Sequence, residues 1–273
     1  MAERVALVTG STDGIGRQIA RQIAARGIKV LVHGRSKTKV DAAIAALRDE
    51  LPGAELDGVS FDLGRLADVR RGAEQVLKLA PELHVLVNNA GIFANERVVN
   101  SDGIEMTFAV NYLGPFLLTE LLGPRLTDSA SAAASRVINL SSVAHTRGRI
   151  HVDDLQLERS WTGYAAYAQS KLAQVMHAIT LAERHEPTKL LAYSVHPGVV
   201  MTKLLRQGFG PVQGITPEVG ARTPAMLATG TTEDEPSGSY FSDGVATPPS
   251  SAAQDAEMRQ QLWRLSVELA KLA

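Results

Sequence analysis

The segment that decides the fold runs from residue 5 to residue 16 and reads Val5-Ala6-Leu7-Val8-Thr9-Gly10-Ser11-Thr12-Asp13-Gly14-Ile15-Gly16. Its apolar start predicts a short strand, and a helix-length pattern over residues 15–26 follows the glycines. Glycines allow a tight turn and a close backbone approach, and a helix N-terminus offers free N–H groups to a pyrophosphate. The segment therefore predicts a βα unit whose turn either binds a dinucleotide phosphate or is an ordinary connection.

The same alternation of short apolar runs and helix-length segments continues along the chain. The expected strands are residues 5–8, 30–32, 59–61, 85–87, 137–140 and 190–195, and the expected helices are residues 15–26, 37–51, 66–80, 106–122 and 165–186. This alternation predicts a single domain over residues 1–273 with a Rossmann-type, three-layer α/β fold and a doubly wound, mainly parallel sheet. Ligands of such sheets bind beyond the carboxyl ends of the strands.

Composition excludes several classes of function. The net charge of -1 argues against nucleic acid or an acidic membrane surface as partner. The absence of cysteine excludes disulfides and thiolate catalysis, and the seven histidines show no metal-ligand spacing, so we expect no metal. The sequence shows neither the apolar core of a signal peptide nor an apolar run of membrane-spanning length, so we expect a cytoplasmic protein without a membrane anchor.

A tyrosine and a lysine stand four residues apart in the string Tyr167-Ala168-Gln169-Ser170-Lys171. Residues at this spacing share one helix face, and a nearby cation lowers the phenol pKa from its usual value of about 10. The pair therefore predicts a general acid–base, the alternative being ordinary helix-surface spacing. Tyr164 lies seven residues from Lys171, which is too far for a direct partner.

The end of the second expected strand bears on the choice of dinucleotide. An acidic residue there would bind the ribose 2′-hydroxyl of NAD, whereas an arginine would accommodate the 2′-phosphate of NADP. The sequence reads His33-Gly34-Arg35-Ser36 and has no acid. We therefore expect NADP(H) held through Arg35 with assistance from Arg17; both arginines could instead be solvated surface residues.

Asn111 lies in the middle of a very apolar expected helix, where a polar side chain needs a partner. Pro115 stands four residues later and has no N–H group. The carbonyl of Asn111 should therefore lose its helical hydrogen bond and be free to hold a water molecule. The alternative is a plain proline kink in a packing helix.

Together these motifs resemble the short-chain dehydrogenase/reductase family over nearly the whole chain. The resemblance implies catalytic roles for Asn111, Ser142, Tyr167 and Lys171. It implies cofactor contacts from Gly10, Ser11, Gly14, Ile15, Gly16, Arg35, Asp62, Leu63, Asn89, Ala90, Gly91, Tyr167, Lys171, Pro197, Gly198 and Thr202. The strings 111–119, 141–145, 196–200 and 240–243 are similar to those of its retinol-dehydrogenase-like branch.

The resemblance also implies a mechanism for NADP(H)-dependent exchange between a carbonyl compound and its alcohol. Tyr167 gives the proton, Lys171 keeps it acidic and binds the nicotinamide ribose, and Ser142 orients the carbonyl oxygen. A water at the Asn111 carbonyl links the lysine to solvent. Helices 106–122 and 164–186 resemble those through which many members form homo-oligomers. A non-catalytic NADP-binding sensor or scaffold, and a sugar-nucleotide epimerase or dehydratase, are the rival interpretations.

The region after the expected nicotinamide contact predicts a substrate lid around residues 201–216. Leu204, Leu205 and Phe209 make this segment apolar, and Trp161 and Tyr164 are expected near the same rim. Because burying an unpaired charge is costly, such a lid favours an apolar aldehyde or ketone. The alternative is that these side chains pack on the domain or on a neighbouring subunit. A C-terminal helix is expected around residues 251–270.

Overall fold

A central sheet organises the fold. The computed structural model describes residues 4–210, 212–230 and 235–272 of the chain. Its strands are β1 (Val5–Val8), β2 (Lys29–Gly34), β3 (Leu56–Ser60), β4 (Val85–Asn88), β5 (Ser135–Leu140), β6 (Leu190–His196), β7 (Tyr240–Ser242) and β8 (Val245–Thr247). They lie in the order β3-β2-β1-β4-β5-β6-β7-β8, and only the β7–β8 pairing is antiparallel. The expected doubly wound, mainly parallel α/β fold is confirmed.

The helices connect the strands and cover both faces of the sheet. They are α1 (Gly14–Ala24), α2 (Lys37–Glu50), α3 (Leu66–Leu79), α4 (Met106–Phe108), α5 (Gly114–Ser129), α6 (Gly163–Arg184), α7 (Lys203–Phe209), α8 (Pro217–Gly220), α9 (Arg222–Thr229), α10 (Ser251–Gln254) and α11 (Ala256–Leu269). None of the helices within the described ranges combines the length and apolar character that a membrane span requires.

Strand alternation divides the core between the two faces. Val5 and Leu7 of β1 belong to the cluster that also contains apolar residues of α3, α5, α6 and α11. Ala6 and Val8 belong to the cluster that contains residues of α1, α2 and α9. Because both sets of β1 side chains are buried, the strand is apolar without interruption, as the sequence indicates.

The expected helix over residues 106–122 is interrupted and longer than predicted. A π-helical segment, Ala109–Leu113, separates α4 from α5, and the Gly114 N–H bonds to the Ala109 carbonyl five residues back. Pro115 follows at once and cannot donate to the Asn111 carbonyl, so a regular α-helical ladder cannot continue through this turn. The irregularity that the proline predicts is therefore present, in the form of a wider turn.

The C-terminal helices explain why the helices around α5 and α6 are so apolar. The expected single helix over residues 251–270 is two helices, separated by Asp255 in extended conformation. The second, α11, packs Trp263 edge-on against Phe116 at 5.0 Å between ring centroids, and its Ser266 Oγ hydrogen-bonds the Tyr112 hydroxyl at 2.8 Å. Intramolecular packing thus accounts for the apolar faces, and the predicted subunit interface no longer follows from them.

Candidate active site

A cavity of about 730 Å³ opens at the carboxyl ends of β1, β4 and β5. Most of the predicted site residues line it: Gly10, Gly14, Ile15, Gly16, Arg35, Asp62, Leu63, Asn89, Ala90, Gly91, Ser142, Tyr167, Lys171, Pro197, Gly198 and Thr202. Strand order reverses between β1 and β4, and such a switch point leaves a crevice for a ligand. No cluster of His, Asp and Glu that could hold a metal occurs in the described part of the chain.

The glycine turn between β1 and α1 is packed too closely against its neighbours to admit a side chain at Gly10 or Gly16. Gly10 and Gly14 have positive φ angles of 64° and 57°. A Cβ at Gly16 would lie 2.3 Å from both the Asn89 Nδ2 and the Gly10 carbonyl oxygen. Asn89 donates from Nδ2 to the carbonyls of Thr9 and Gly10 at 2.7 and 3.1 Å, which holds the turn in place. This cradle, at the N-terminus of α1, fits the pyrophosphate of a dinucleotide.

His33 supports the same turn and is a residue that the sequence reasoning did not identify. Its Nδ1 accepts a hydrogen bond from the Gly10 N–H at 3.0 Å, so the proton resides on Nε2, which faces the Phe61 carbonyl at 3.1 Å. Burial lowers the pKa of His33 to about 4, which keeps the ring neutral. The sequence feature that could have identified His33 is a single histidine within an otherwise apolar strand.

Ser11 does not face the cavity. Its hydroxyl is buried, donates to the Val8 carbonyl at 2.7 Å and accepts from the His33 N–H at 2.9 Å. The resemblance implies a cofactor contact for Ser11. In the structure, its side chain instead holds the turn together. The hydroxyl is therefore not available for the cofactor contact predicted for Ser11, and a contact through its other atoms stays a prediction.

The two arginines expected near the cofactor phosphate have different surroundings. Arg35 is exposed and lines the cavity. Arg17 does not line it, because its guanidinium forms an ion pair with Glu50, which also pairs with Arg21. The predicted assistance from Arg17 is therefore wrong, and Arg35 remains the candidate phosphate ligand.

Ser141 and Ser142, which follow the end of β5, both border the cavity, but their hydroxyls have different partners. The buried Ser141 hydroxyl donates to the Lys171 carbonyl at 2.8 Å and so ties the end of β5 to α6. The Ser142 side chain lines the cavity and hydrogen-bonds Tyr167. The pair that faces the cavity thus consists of Ser142 and Tyr167.

Tyr167 is less acidic in this structure than the sequence predicts. Burial raises the pKa of Tyr167 to about 12, and the hydrogen bond with Ser142 only partly opposes that effect. The Phe93 ring packs against the phenol at 5.6 Å between centroids, and the Lys171 Nζ lies 5.4 Å from the phenol ring centroid. Burial is the largest cause of this pKa, and the expectation that Lys171 lowers it stays a prediction.

Lys171 is buried, and two protein oxygens accept hydrogen bonds from its ammonium group. Nζ donates to the Leu140 carbonyl at 2.8 Å and to the Gln174 Oε1 at 2.9 Å. Burial lowers the pKa of Lys171 to about 7. Gln174 is a second residue that the sequence reasoning missed, although it lies three positions after the lysine on the same helix.

Asn111 has the partners that its apolar surroundings demand, but it does not line the cavity. Its Nδ2 donates to the Ile92 carbonyl and to the Ser170 Oγ, both at 3.0 Å, and its Oδ1 accepts from the Ile92 N–H at 2.8 Å. The side chain therefore joins the π-helical segment to α6 and to the loop after β4. Because both side-chain amide atoms have protein partners, the backbone carbonyl is the group of Asn111 that is left for the predicted catalytic role.

The expected lid is a short helix, α7, that meets the glycine turn. Lys203 forms an ion pair with Asp13 at 2.6 Å, and Leu204 and Leu205 line the cavity. Tyr164 lies at the cavity wall, whereas Trp161 is held away by a hydrogen bond from its Nε1 to Glu105 at 3.2 Å. Pro211 and the Phe209 side chain lie outside the described residues.

Comparison with known proteins identifies relatives along the whole chain. The family model described as short chain dehydrogenase matches residues 4–209. The chain is 37% identical to retinol dehydrogenase 12 of Mus musculus, covering 97% of this chain and 86% of the relative. It is 36% identical to polyprenol dehydrogenase of Mus musculus, covering 97% and 83% of the two chains.

Solved structures agree with this likeness. A protein from Mycobacterium Paratuberculosis superposes with a TM-score of 0.82 and 33% identity, covering 99% of this chain and 94% of the other. A metagenomic short-chain oxidoreductase, solved in complex with NADP, superposes with a TM-score of 0.63 and 26% identity, covering 83% of this chain and 90% of the other.

Proposed function

The chain belongs to the short-chain dehydrogenase family, and on that premise we propose that it is an NADP(H)-dependent oxidoreductase that interconverts a carbonyl compound and its alcohol. One observation carries the proposal. The hydrogen-bonded hydroxyls of Tyr167 and Ser142 lie in the same cavity as the glycine turn, with Lys171 beside them.

The cofactor is held by the residues whose shape and charge suit it. The turn around Gly10 and Gly16 would hold the pyrophosphate, and the exposed guanidinium of Arg35 would hold the 2′-phosphate. The structural neighbour solved in complex with NADP agrees with this choice of dinucleotide. When bound, the nicotinamide supplies or accepts the hydride.

Tyr167 acts as the general acid in reduction and as the base in oxidation. Its high pKa keeps the proton on the phenol until a carbonyl oxygen gains negative charge, and the Ser142 hydroxyl donates a second hydrogen bond to that oxygen. The Lys171 ammonium stabilises the phenolate that remains. Its partners, the Leu140 carbonyl and Gln174, hold it behind the tyrosine.

The proposed substrate is an apolar aldehyde or ketone, or the corresponding alcohol. Leu204 and Leu205 line the cavity, and Val143, Val199 and Val212 line it with more than a third of their surface still exposed to solvent. Burying an unpaired charge against such a surface would be costly. The relatives named for retinol and polyprenol, both largely hydrocarbon alcohols, agree with this class.

The proposal is tested by NADPH oxidation with a panel of carbonyl compounds. Medium-chain and aromatic aldehydes and ketones should be reduced faster than small charged keto acids. Tyr167→Phe should abolish turnover and leave NADPH binding nearly intact, because it removes the proton donor and little cofactor contact. Comparable turnover by Tyr167→Phe would assign the chemistry to another group, with Tyr164 at the cavity wall tested next.

A further inference from the structure

The ammonium of Lys171 is held from behind by two acceptors, which leaves one donor for the cavity. An ammonium group has three N–H donors. Two of them point to the Leu140 carbonyl and the Gln174 Oε1, at 2.8 and 2.9 Å. A Cβ at Gly91, in the cavity wall, would lie 3.6 Å from Nζ, so the ammonium reaches the cavity surface.

The side-chain amide of Gln174 has a hydrogen-bond partner for its oxygen, and none for its nitrogen among the described residues. The side chain is buried, with 2% of the residue exposed, and Nε2 is one of the buried polar atoms without a partner in the described residues. An unpaired buried amide N–H group destabilises the fold, so an apolar residue of this size would pack at lower cost. The backbone carbonyl of Gln174 also accepts from Asn139 Nδ2 at 3.1 Å, which fixes this helical turn against β5.

We infer that Gln174 is a positioning residue for the proposed reaction, whose amide oxygen holds the Lys171 ammonium in place and directs its third N–H into the cavity. This inference rests on the proposed function only for its consequence, catalysis. The hydrogen bond from Lys171 Nζ to Gln174 Oε1 is part of the fold and does not depend on the proposed function.

The surroundings of Lys171 make it sensitive to this contact. Burial is the cause that lowers its pKa to about 7. The groups from other elements that lie near Nζ, Gly91 and the Leu140 carbonyl, are uncharged, and Tyr167 on its own helix is a titratable neighbour. An acceptor oxygen stabilises the charged form, so the lysine pKa should follow the nature of residue 174.

Two variants of similar volume separate this role from packing. Gln174→Glu replaces the amide by a carboxylate and should raise the pKa of Lys171 by about one unit or more, because an opposite charge at this distance favours the ammonium. Gln174→Met keeps the volume and removes the acceptor, and should lower that pKa. A packing effect would move the two variants in the same direction.

The lysine is titrated directly by NMR of the full-length protein labelled with ¹³C-lysine, and Lys171→Arg identifies the signal. Opposite shifts in the two Gln174 variants support the inference, and unchanged or parallel shifts overturn it. If Gln174→Met does not fold, Gln174→Leu, which also lacks an acceptor, takes its place in the comparison with Gln174→Glu.

The pH profile of turnover connects the contact to catalysis. The proposed role requires charged Lys171, so the alkaline limb of kcat/KM should move upward in pH for Gln174→Glu and downward for Gln174→Met. A shifted lysine pKa with an unshifted limb overturns the positioning role. Absence of any carbonyl turnover by the unmodified protein would defeat the proposed function, while the NMR titration would still report on the contact.

Discussion

The buried charge of Lys171 predicts that Lys171→Met yields an inactive protein whose stability relative to the unmodified protein falls as pH rises from 7. Burial lowers the lysine pKa from 10.5 to about 7. One pKa unit corresponds to about 1.36 kcal/mol, so at neutral pH the charge disfavours the native state by something on the order of 4 kcal/mol. Methionine keeps an unbranched apolar stem and removes that penalty.

Lost hydrogen bonds offset this gain. The Leu140 carbonyl and the Gln174 Oε1 both lose the donor that Lys171 provides. Leaving a buried acceptor without a partner costs about 1–3 kcal/mol. The two acceptors together therefore offset about 2–6 kcal/mol, and we expect the free energies of unfolding of Lys171→Met and of the unmodified protein to differ by no more than roughly 2 kcal/mol near pH 7.

The dependence on pH distinguishes this cause from better packing. Between pH 7 and 10.5 the unfolded chain binds a proton at Lys171 that the native protein has released, so the unmodified protein gains stability as pH rises. Urea unfolding of both proteins, measured without cofactor in steps from about pH 7 to about pH 10, should show the free energy of unfolding of the variant, relative to that of the unmodified protein, falling by up to about 1.36 kcal/mol per pH unit. A stability difference that does not change with pH would refute the reasoning.

Three further outcomes follow from single contacts. Arg35→Asp should reverse the preference for NADP+ over NAD+, by about ten- to a hundredfold in relative Kd measured by titration; equal affinities in the unmodified protein would contradict it. Gly16→Ala should abolish cofactor binding, since its Cβ would lie 2.3 Å from two neighbours, whereas the control Gly123→Ala, with nothing within 4 Å, should bind normally. Trp263→Ala should lower the free energy of unfolding by about 3–5 kcal/mol in urea titrations; a loss below about 1 kcal/mol would show that the contact with Phe116 is unimportant.

The sequence predicted the sheet well where strands are buried on both faces and poorly where they are not. Strands β1 and β4–β6 are mostly apolar and almost wholly buried, and their order along the chain follows from βαβ connections. Strands β7 and β8 have three residues each, which is too short for periodicity to show. The π-helical segment was missed for a physical reason. Pro115 indicates that a helical hydrogen bond is lost, but it does not indicate which kind of turn replaces the regular one.

The site was predictable where it depends on spacing along one element and not where it depends on distant parts of the chain. Tyr167 and Lys171 share a helix face. The Arg17 partner lies 33 residues away, and no local pattern indicates it. The elevated pKa of Tyr167 likewise depends on the residues that cover the ring, which only the assembled fold determines.

The stability cost at Lys171 also explains how the site is kept rigid. The lysine side chain bonds the last residue of β5, and its own carbonyl accepts from Ser141, so strand and helix are joined twice at the point where Ser142 and Tyr167 meet. A solvated lysine would lose less free energy on folding but would sample many rotamers. Burial therefore costs several kcal/mol of stability and holds the lysine in one position. Because its pKa is close to neutral pH, the protonation of Lys171 changes strongly when a charge binds beside it.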